Sequence, residues 1–372
     1  MKIIQEGSAK ILAHEAKIVS KELEVFYNPV MKLNRDVSIL LLNSIGSKKL
    51  SMALPLAGSG VRGFRYLLEV KKGIIGELHL NDYSQKAVEL TKKNAKLNSI
   101  STRRFRLHNK DANDFLLQSS GFDYIDIDPF GTPNPFLDTA VKRLSRNGIL
   151  AVTATDTSGL AGSHPKACTR KYWATPLKNE FMHETALRIL IRKVQLIGAQ
   201  YQKALIPIFS YSKHHYYRVF FQCNKGKLNV DELLQQHGYL VYCRRCLWHE
   251  TRTLPAGDSI CKCRTKLEFA GELWLGNLWD ELLCAKMQHN PGNADKALST
   301  LIARTAEEST IRSVGFYTLP RLAETLKLKT NPKVDDVIKT LEAAEFKASR
   351  THFDGQGIRT DANPEDFKRI LC

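Results

Sequence analysis

Between Lys49 and Cys223, short runs of aliphatic and β-branched residues alternate with longer stretches whose apolar positions recur every three to four residues. A short continuous apolar run suits a strand buried on both faces, and the helical period suits a segment that covers a sheet. The pattern predicts strands over Leu50–Leu56, Glu77–Asn81, Phe105–His108, Tyr124–Ile127 and Ile149–Thr153. Helices are predicted over Phe64–Lys72, Gln85–Leu97 and Pro135–Leu144, with a long one over Lys178–Leu196. Strands that alternate with helices make a parallel sheet with helices on its faces. Two further runs, Gln202–Tyr211 and Tyr216–Cys223, are joined only by Ser212 to His215. That link is too short for a parallel crossover, so an antiparallel hairpin is expected.

Past Lys227 the texture changes. Residues 228–270 are basic and turn-rich around four cysteines, and helical patterning dominates 271–372. There, Leu319–Leu328 and Val334–Ala344 flank Asn331-Pro332 as two short amphipathic helices, followed by a β-wing at Lys347–Thr360. The expected organisation is a first domain over 1–227, a zinc-binding module over 228–270 and a winged-helix-like region over 271–372. An α/β sheet of five parallel strands closed by an antiparallel hairpin has the layout of Rossmann-like class I methyltransferases, an analogy of fold alone.

The chain has 372 residues, and its 55 Lys and Arg against 38 Asp and Glu leave a formal net charge of +17. With 43% hydrophobic residues it is too apolar to be disordered. The charge makes a polyanion the first partner to consider, because cations that neutralise phosphates release condensed counterions. Much of it is concentrated: Gly162 to Lys227 holds twelve Lys and Arg against two acids, a net of +10, interleaved with Tyr172, Trp173 and Tyr211. Glu6, Lys10, His14, Glu15 and Lys17 interrupt any secretory h-region, and no apolar run is long enough for a membrane span. A cytoplasmic protein without membrane contact is expected, and no obligate protein partner is evident.

Gly58-Ser59-Gly60-Val61-Arg62-Gly63 follows the first of the five strands and opens a helix, where glycines permit a tight turn and close backbone approach to a ligand. Asp82 ends the second strand about 20 residues further on, where a carboxylate binds ribose hydroxyls. Asp111-Ala112, after the third strand, stand where adenine is held in such a sheet. NAD and S-adenosylmethionine both carry an adenosine ribose, so these positions alone do not separate them. A kinase-type P-loop is excluded, since no Gly-Lys-Ser/Thr follows the glycines.

Asp126-Ile127-Asp128-Pro129-Phe130-Gly131 lies at the carboxyl end of the fourth strand, where open α/β sheets bind ligands. It is similar to the Asp/Asn-Pro-Pro-aromatic motif of methyltransferases that modify exocyclic amines. The lone pair of such an amine is conjugated into the ring, and accepting its N–H bonds localises it. Asp128 supplies one acceptor and the Pro129 carbonyl another. Phe130 offers a flat face on which an extruded base stacks, a contact worth about 1–3 kcal/mol. Cys243-x2-Cys246-x14-Cys261-x-Cys263 provides two close pairs for a closed, structural tetrahedral Zn²⁺ site, with His249 as a lower-ranked substitute ligand.

Taken together, the Phe26-Tyr-Asn-Pro-Val-Met-Lys-Leu-Asn-Arg-Asp36 segment, the Gly58–Arg65 run, Asn81-Asp82, Asp128-Pro-Phe-Gly131 and the cysteines resemble the tRNA guanine-26 N2-methyltransferase/dimethyltransferase family, archaeal members in particular. The resemblance implies contact of Arg35, Arg65, Asp82, Asp111 and Ala112 with S-adenosylmethionine, beside the Gly58 and Gly60 turn. It implies a catalytic Asp128 and a guanine sandwiched by Phe26 and Phe130. It also implies one or two methyl transfers to N2 of guanine 26 in tRNA. The chain departs from many such enzymes in one respect: Leu54-Pro55-Leu56-Ala57 carries no acid before the glycines, which leaves contacts to the methionine end of the cofactor open. Two other readings also stay open. One is a methyltransferase for another exocyclic amine, such as adenine N6 or a guanine N2 in rRNA; the other is a non-catalytic RNA-binding protein on a degenerate fold. No nicotinamide-facing pair of residues supports a dehydrogenase.

Overall fold

The computed structural model describes residues 1–13, 27–46, 49–255, 259–292 and 294–372. The chain opens with a hairpin, β1 (Lys2–Glu6) and β2 (Ala9–Ala13), and a helix α1 (Lys32–Ser44). Alternating elements follow: β3 (Leu50–Leu54), α2 (Val61–Glu69), β4 (Ile75–Asn81), α3 (Gln85–Leu97), β5 (Arg106–His108), α4 (Ala112–Leu117), β6 (Phe122–Ile127), α5 (Asn134–Arg143) and β7 (Leu144–Ala154). After α6 (Thr157–Leu160), α7 (Pro165–Tyr172) and α8 (Met182–Gln200) comes the expected hairpin of β8 (Lys203–Lys213) and β9 (Tyr216–Lys225). The seven strands from β3 to β9 form one sheet in the order β5-β4-β3-β6-β7-β9-β8. Its first five strands are parallel, and β9 runs antiparallel to both neighbours. Strand order reverses between β3 and β6, which places the ligand crevice outside the carboxyl ends of these two strands.

Differences from the pattern at element ends have local causes. Pro55 has no N–H to give to a ladder, so the strand expected to reach Leu56 stops at Leu54. The helix expected from Phe64 starts at Val61, because Gly60 turns the chain at φ +78°. The helix expected from Lys178 starts at Met182, since the Asn179 side chain accepts from Phe181 N at 3.2 Å and holds a turn there.

Helix α9 (Lys227–Leu234) leads into a second sheet of β10 (His237–Tyr242), β11 (His249–Arg252) and β12 (Glu268–Trp274), in the order β11-β10-β12. The expected limit at residue 270 falls inside β12. Then come α10 (Glu281–His289), α11 (Lys296–Ser309), β13 (Tyr317–Thr318), α12 (Leu319–Leu326), α13 (Val334–Ala343), β14 (Ala348–Arg350), β15 (Gly357–Thr360) and α14 (Pro364–Leu371). From α11 to β15 the elements follow winged-helix order, and β13-β15-β14 form the small sheet.

A single apolar core runs from Leu41 and Ile125 through Leu240 and Trp279 to Ile358 and Phe367. Buried ions join α8 to the C-terminal elements. Arg359 donates to Glu184 of α8 at 2.7 Å and to Glu308 of α11 at 3.0 Å. Arg188 holds the other Glu184 oxygen at 2.9 Å, and His352 meets Glu308 at 2.5 Å. Removing one member of such a pair typically costs about 3–5 kcal/mol, because it strands a buried charge.

His237 yields a pH dependence. It is buried against Gln195 Oε1 at 2.8 Å, and burial pushes its imidazole down to about 4. The unfolded chain takes up that proton near pH 6.5 and the folded chain refuses it, so stability falls as pH drops from about 6.5 towards 4. Melting temperatures measured across this window are expected to fall less steeply for His237→Gln than for the parent. Parallel curves would count against the assignment.

Candidate active site

The turn after β3 is shaped by glycines. Gly58 and Gly60 both occupy the left-handed region, at φ +56° and +78°, and a Cβ on Gly60 would lie 2.7 Å from the Phe64 ring. A Cβ on Gly63 would meet Leu80 at 2.5 Å, so its absence lets α2 pack closely on β4. Asp82, one residue past β4, ties the turn down: Oδ2 accepts from Gly58 N at 2.8 Å and Oδ1 from Ser84 N at 2.9 Å. Burial raises the Asp82 carboxyl above its ordinary value against the pull of these two donors.

At the end of β6, Asp126 and Asp128 share one side of the strand because side chains alternate. Asp126 is fully enclosed. Its Oδ1 and Oδ2 accept from Arg218 of β9 at 2.8 and 2.7 Å, and Oδ2 also accepts from Tyr124 at 2.9 Å and Tyr66 at 3.0 Å. Burial alone would raise its pKa, but the charges of Arg218 and Arg62 outweigh burial and hold it far below the carboxylate range. Arg62 of α2 donates to Asn34 Oδ1 at 2.8 Å, Ser38 Oγ at 3.2 Å and Asp126 Oδ2 at 3.4 Å, and forms an ion pair with Asp128 Oδ2.

These groups border a cavity of about 430 Å³, within the ~300–1,000 Å³ of small-ligand pockets. Among the described residues its lining includes Arg35, Gly58, Arg62, Asp128, Pro129 and Phe130. His215 and Tyr216, from the β8–β9 hairpin, and Asn28 belong to it as well. Phe130 is part of this lining and 43% exposed. Phe26 lies outside the described residues. Gly60 is buried and is not among the lining residues.

Arg35 and Arg65 hold the N-terminal hairpin in place. Arg35 donates to both oxygens of Glu6, at 2.6 and 2.5 Å; Arg65 meets Glu6 at 3.1 Å, Asp36 at 2.7 Å and Glu69 at 2.8 Å. Arg65 and Asp82 do not line the cavity. Neither do Asp111 and Ala112: Asp111 caps α4 by accepting from Asn113 N at 2.8 Å, and Ala112 is buried in its first turn. Asp126, Arg62 and Arg218 had been given no role from sequence. The Asp-x-Asp spacing at a strand end was the available signal for the first, since it puts two carboxylates on one face.

The four cysteines converge. Their sulfurs lie within 4.8 Å of one another, with Cys243–Cys263 at 3.4 Å and Cys246–Cys261 at 3.5 Å. Thiolates about 2.3 Å from a tetrahedral Zn²⁺ sit ~3.8 Å apart, so the set fits that ion with no position left open. His249 is not part of it: its Nδ1 faces Leu247 O, and its ring packs on Phe181 and Tyr317.

The basic stretch needs a correction. Of its twelve cations, Arg188, Arg192, Lys193, Lys203 and Arg218 are buried. Arg188, Arg192 and Arg218 pair with Glu184, Glu272 and Asp126, Lys203 donates to main-chain carbonyls at Val141 and Leu144, and Lys193 sits over the Trp173 ring. Tyr172 and Tyr211 are buried as well, whereas Trp173 is 51% exposed. The exposed cations of the stretch are therefore fewer: Lys178, Lys225 and Lys227, and Lys166, Arg170 and Lys171 of α7, the last paired with Asp156 at 3.1 Å. That helix is fastened to the site: Tyr172 Oη donates to Asp156 at 2.6 Å and lies 3.0 Å from Thr132 Oγ1, and Asn134 Nδ2 donates to Lys171 O at 2.8 Å.

The sequence profile of the N2,N2-dimethylguanosine tRNA methyltransferase family matches residues 7–372. The chain is 42% identical over 383 residues to the tRNA (guanine(26)-N(2)/guanine(27)-N(2))-dimethyltransferase of Aquifex aeolicus, covering 100% of this chain and 96% of that one. It is 38% identical over 381 residues to the tRNA (guanine(26)-N(2))-dimethyltransferase of Methanothermobacter thermautotrophicus, covering 99% and 98%. Trm1 from Pyrococcus horikoshii, solved with S-adenosyl-L-methionine, superposes with a TM-score of 0.86 at 34% identity and covers 100% of this chain and 99% of that one.

Elemental analysis of the purified chain is expected to give about one zinc per chain. Stripping the metal with a chelator, or replacing Cys246 by Ser, should lower the melting temperature by unfolding the knuckle. Affinity for S-adenosylmethionine should stay within about twofold, since the cysteines touch no part of the cavity. A metal-free chain of equal stability would refute the structural role.

Proposed function

The chain belongs to the N2,N2-dimethylguanosine tRNA methyltransferase family, and on that premise we propose that its cavity presents N2 of guanine 26 of tRNA to S-adenosylmethionine. It is an S-adenosylmethionine-dependent tRNA (guanine-N2)-methyltransferase. The observation that carries the site assignment is that the glycine turn and Asp128-Pro129-Phe130 wall the same cavity. Fit to the cofactor rests on Gly58, Gly60 and the half-buried Asp82 carboxylate outside that lining, whose remaining lone pairs suit ribose hydroxyls. Arg35 stands at the same wall. Arg65 serves by bracing Glu6 and Asp36; Asp111-Ala112, at the start of α4 and outside that lining, keep an adenine role only from the family resemblance.

When bound, the cofactor supplies a methyl group on a sulfonium centre already activated for displacement. The chain's task is alignment, which is worth most of the rate. Asp128 accepts one N2–H and the Pro129 carbonyl takes a second, turning the nitrogen lone pair towards the methyl carbon. Phe130 stacks the extruded base, and the family resemblance gives Phe26 as the second stacking partner. The proton that N2 sheds after transfer leaves to solvent through the open rim.

The RNA backbone follows Lys166, Arg170 and Lys171 beside the rim, with Trp173 as a stacking surface and Arg244 and Arg245 of the zinc knuckle further along. In the winged-helix portion, α13 exposes Asp335, Asp336 and Glu342 against a single Lys339. That face repels phosphate, so RNA contacts of residues 271–372 fall to other elements. Guanine 27 is a second acceptor to test, because the Aquifex aeolicus relative is named for both positions.

Incubation with tRNA transcripts and methyl-labelled cofactor should put label in N2-methylated guanosine at position 26. Label in N6-methyladenosine would overturn the substrate assignment. Asp128→Ala should lose transfer at least ~100-fold, and Phe130→Ala should weaken it through tRNA KM and kcat together, both with cofactor affinity retained. Lys166→Ala combined with Arg170→Ala should flatten the dependence of log tRNA affinity on log salt by about one unit or more.

A further inference from the structure

Arg62 stands apart from the residues that the family resemblance assigns, yet it is the one side chain that hydrogen-bonds Asp128 among the described residues. It lines the cavity, and its guanidinium is spread over four acceptors. Asn34 and Ser38, one turn apart on α1, take two of its bonds at 2.8 and 3.2 Å, and Asp126 Oδ2 a third at 3.4 Å. The fourth acceptor is Asp128 Oδ2. The arginine is only 7% exposed and cannot relax towards water. Its planar fork therefore has one orientation, and that orientation consumes one particular oxygen of Asp128.

We propose that Arg62 is the positioning residue of the transfer step: by holding Asp128 Oδ2, it leaves Oδ1 as the acceptor aimed into the cavity and fixes its direction. This rests on Asp128 being the group that meets the substrate amine. A carboxylate on a free χ2 torsion would sweep both oxygens through the site, because rotation about that bond is soft. The clamp removes that freedom before the base arrives, which is preorganisation in the same sense as a fixed hydrogen-bond donor. Asp126 completes the device from behind. Arg218 alone satisfies both of its oxygens, at 2.8 and 2.7 Å, so Asp126 stays charged and paired and offers Arg62 a fixed anchor.

The test uses the full chain with Arg62→Lys and Arg62→Gln, alone and combined with Asp128→Asn. Lysine keeps the charge, and Asp126 remains paired to Arg218, so this variant is expected to fold. One ammonium cannot span Asn34, Asp126 and Asp128 as the fork does. Both variants should lose kcat by about 100-fold, the scale of a misplaced reacting group, while KM for tRNA and Kd for S-adenosylmethionine stay within about threefold. On the Asp128→Asn background, Arg62→Lys should produce little further loss, because the two residues act as a unit. Full activity in Arg62→Lys would overturn the proposal, as would losses that multiply independently. A large rise in cofactor Kd with kcat retained would make Arg62 a ligand of the cofactor instead. A double-mutant cycle on melting temperature reads the Arg62–Asp128 contact without turnover. Non-additive shifts there, together with label on a different base, would leave the clamp standing while the guanine assignment fell.

Discussion

The structure is organised around one buried anion. Asp126 sits at the carboxyl end of the central strand and accepts from Arg218, Tyr66 and Tyr124, with Arg62 at its edge. The four donors come from three parts of the fold: Arg218 from the antiparallel strand β9, Arg62 and Tyr66 from α2, and Tyr124 from β6 itself. A lone carboxylate at this depth would be driven neutral by desolvation. Two guanidinium groups keep it charged, and in doing so they register α2 and the last hairpin against the sheet. Shape at the reacting end follows from this, because Asp128 is two residues along the same strand.

A second buried acid does similar work at the cofactor wall. Glu6, on a hairpin before any element of the main sheet, receives Arg35 and Arg65 together with the Tyr27 hydroxyl at 3.0 Å. Burial would raise its pKa, but the hydrogen bond and charge of Arg35 bring it below the ordinary value. The polar cluster Asn34-Arg35-Asp36 thus divides its labour around one helical turn: Asn34 secures Arg62, Arg35 secures Glu6 and Asp36 secures Arg65. Two of these three connections explain arginines that the family resemblance assigns to the cofactor.

Much of the sheet could be read from hydrophobic period, because its central strands are buried on both faces and its covering helices on one. Gln85–Leu97 was legible to the residue: Ser84 caps its start, and Asn98 follows at its end. That Asp128, Pro129 and Phe130 line the cavity was legible because an Asp before Pro at a strand end facing a glycine-rich loop has no packing purpose. Charge counting was the weak instrument. It treated Arg188, Arg192, Lys193, Lys203 and Arg218 as surface, whereas acids distant in sequence, main-chain carbonyls and an indole ring draw them inside. The partnership of Arg62 with Asp128 was illegible for the same reason, since 66 residues separate its members. The hairpin of β1 and β2 escaped notice because it is short and half polar.

The ion cluster of Glu184, Arg188, Glu308, His352 and Arg359 welds the helix behind the main sheet to the winged-helix portion. Parting these two regions would strand several buried charges at once, so hinging between them is costly. On the proposed base-extrusion reading, a protein braced in this way leaves more of the conformational work of bringing the amine to the methyl group to the RNA. A target whose local stacking is already weak then carries an advantage in rate that no contact on the protein needs to supply.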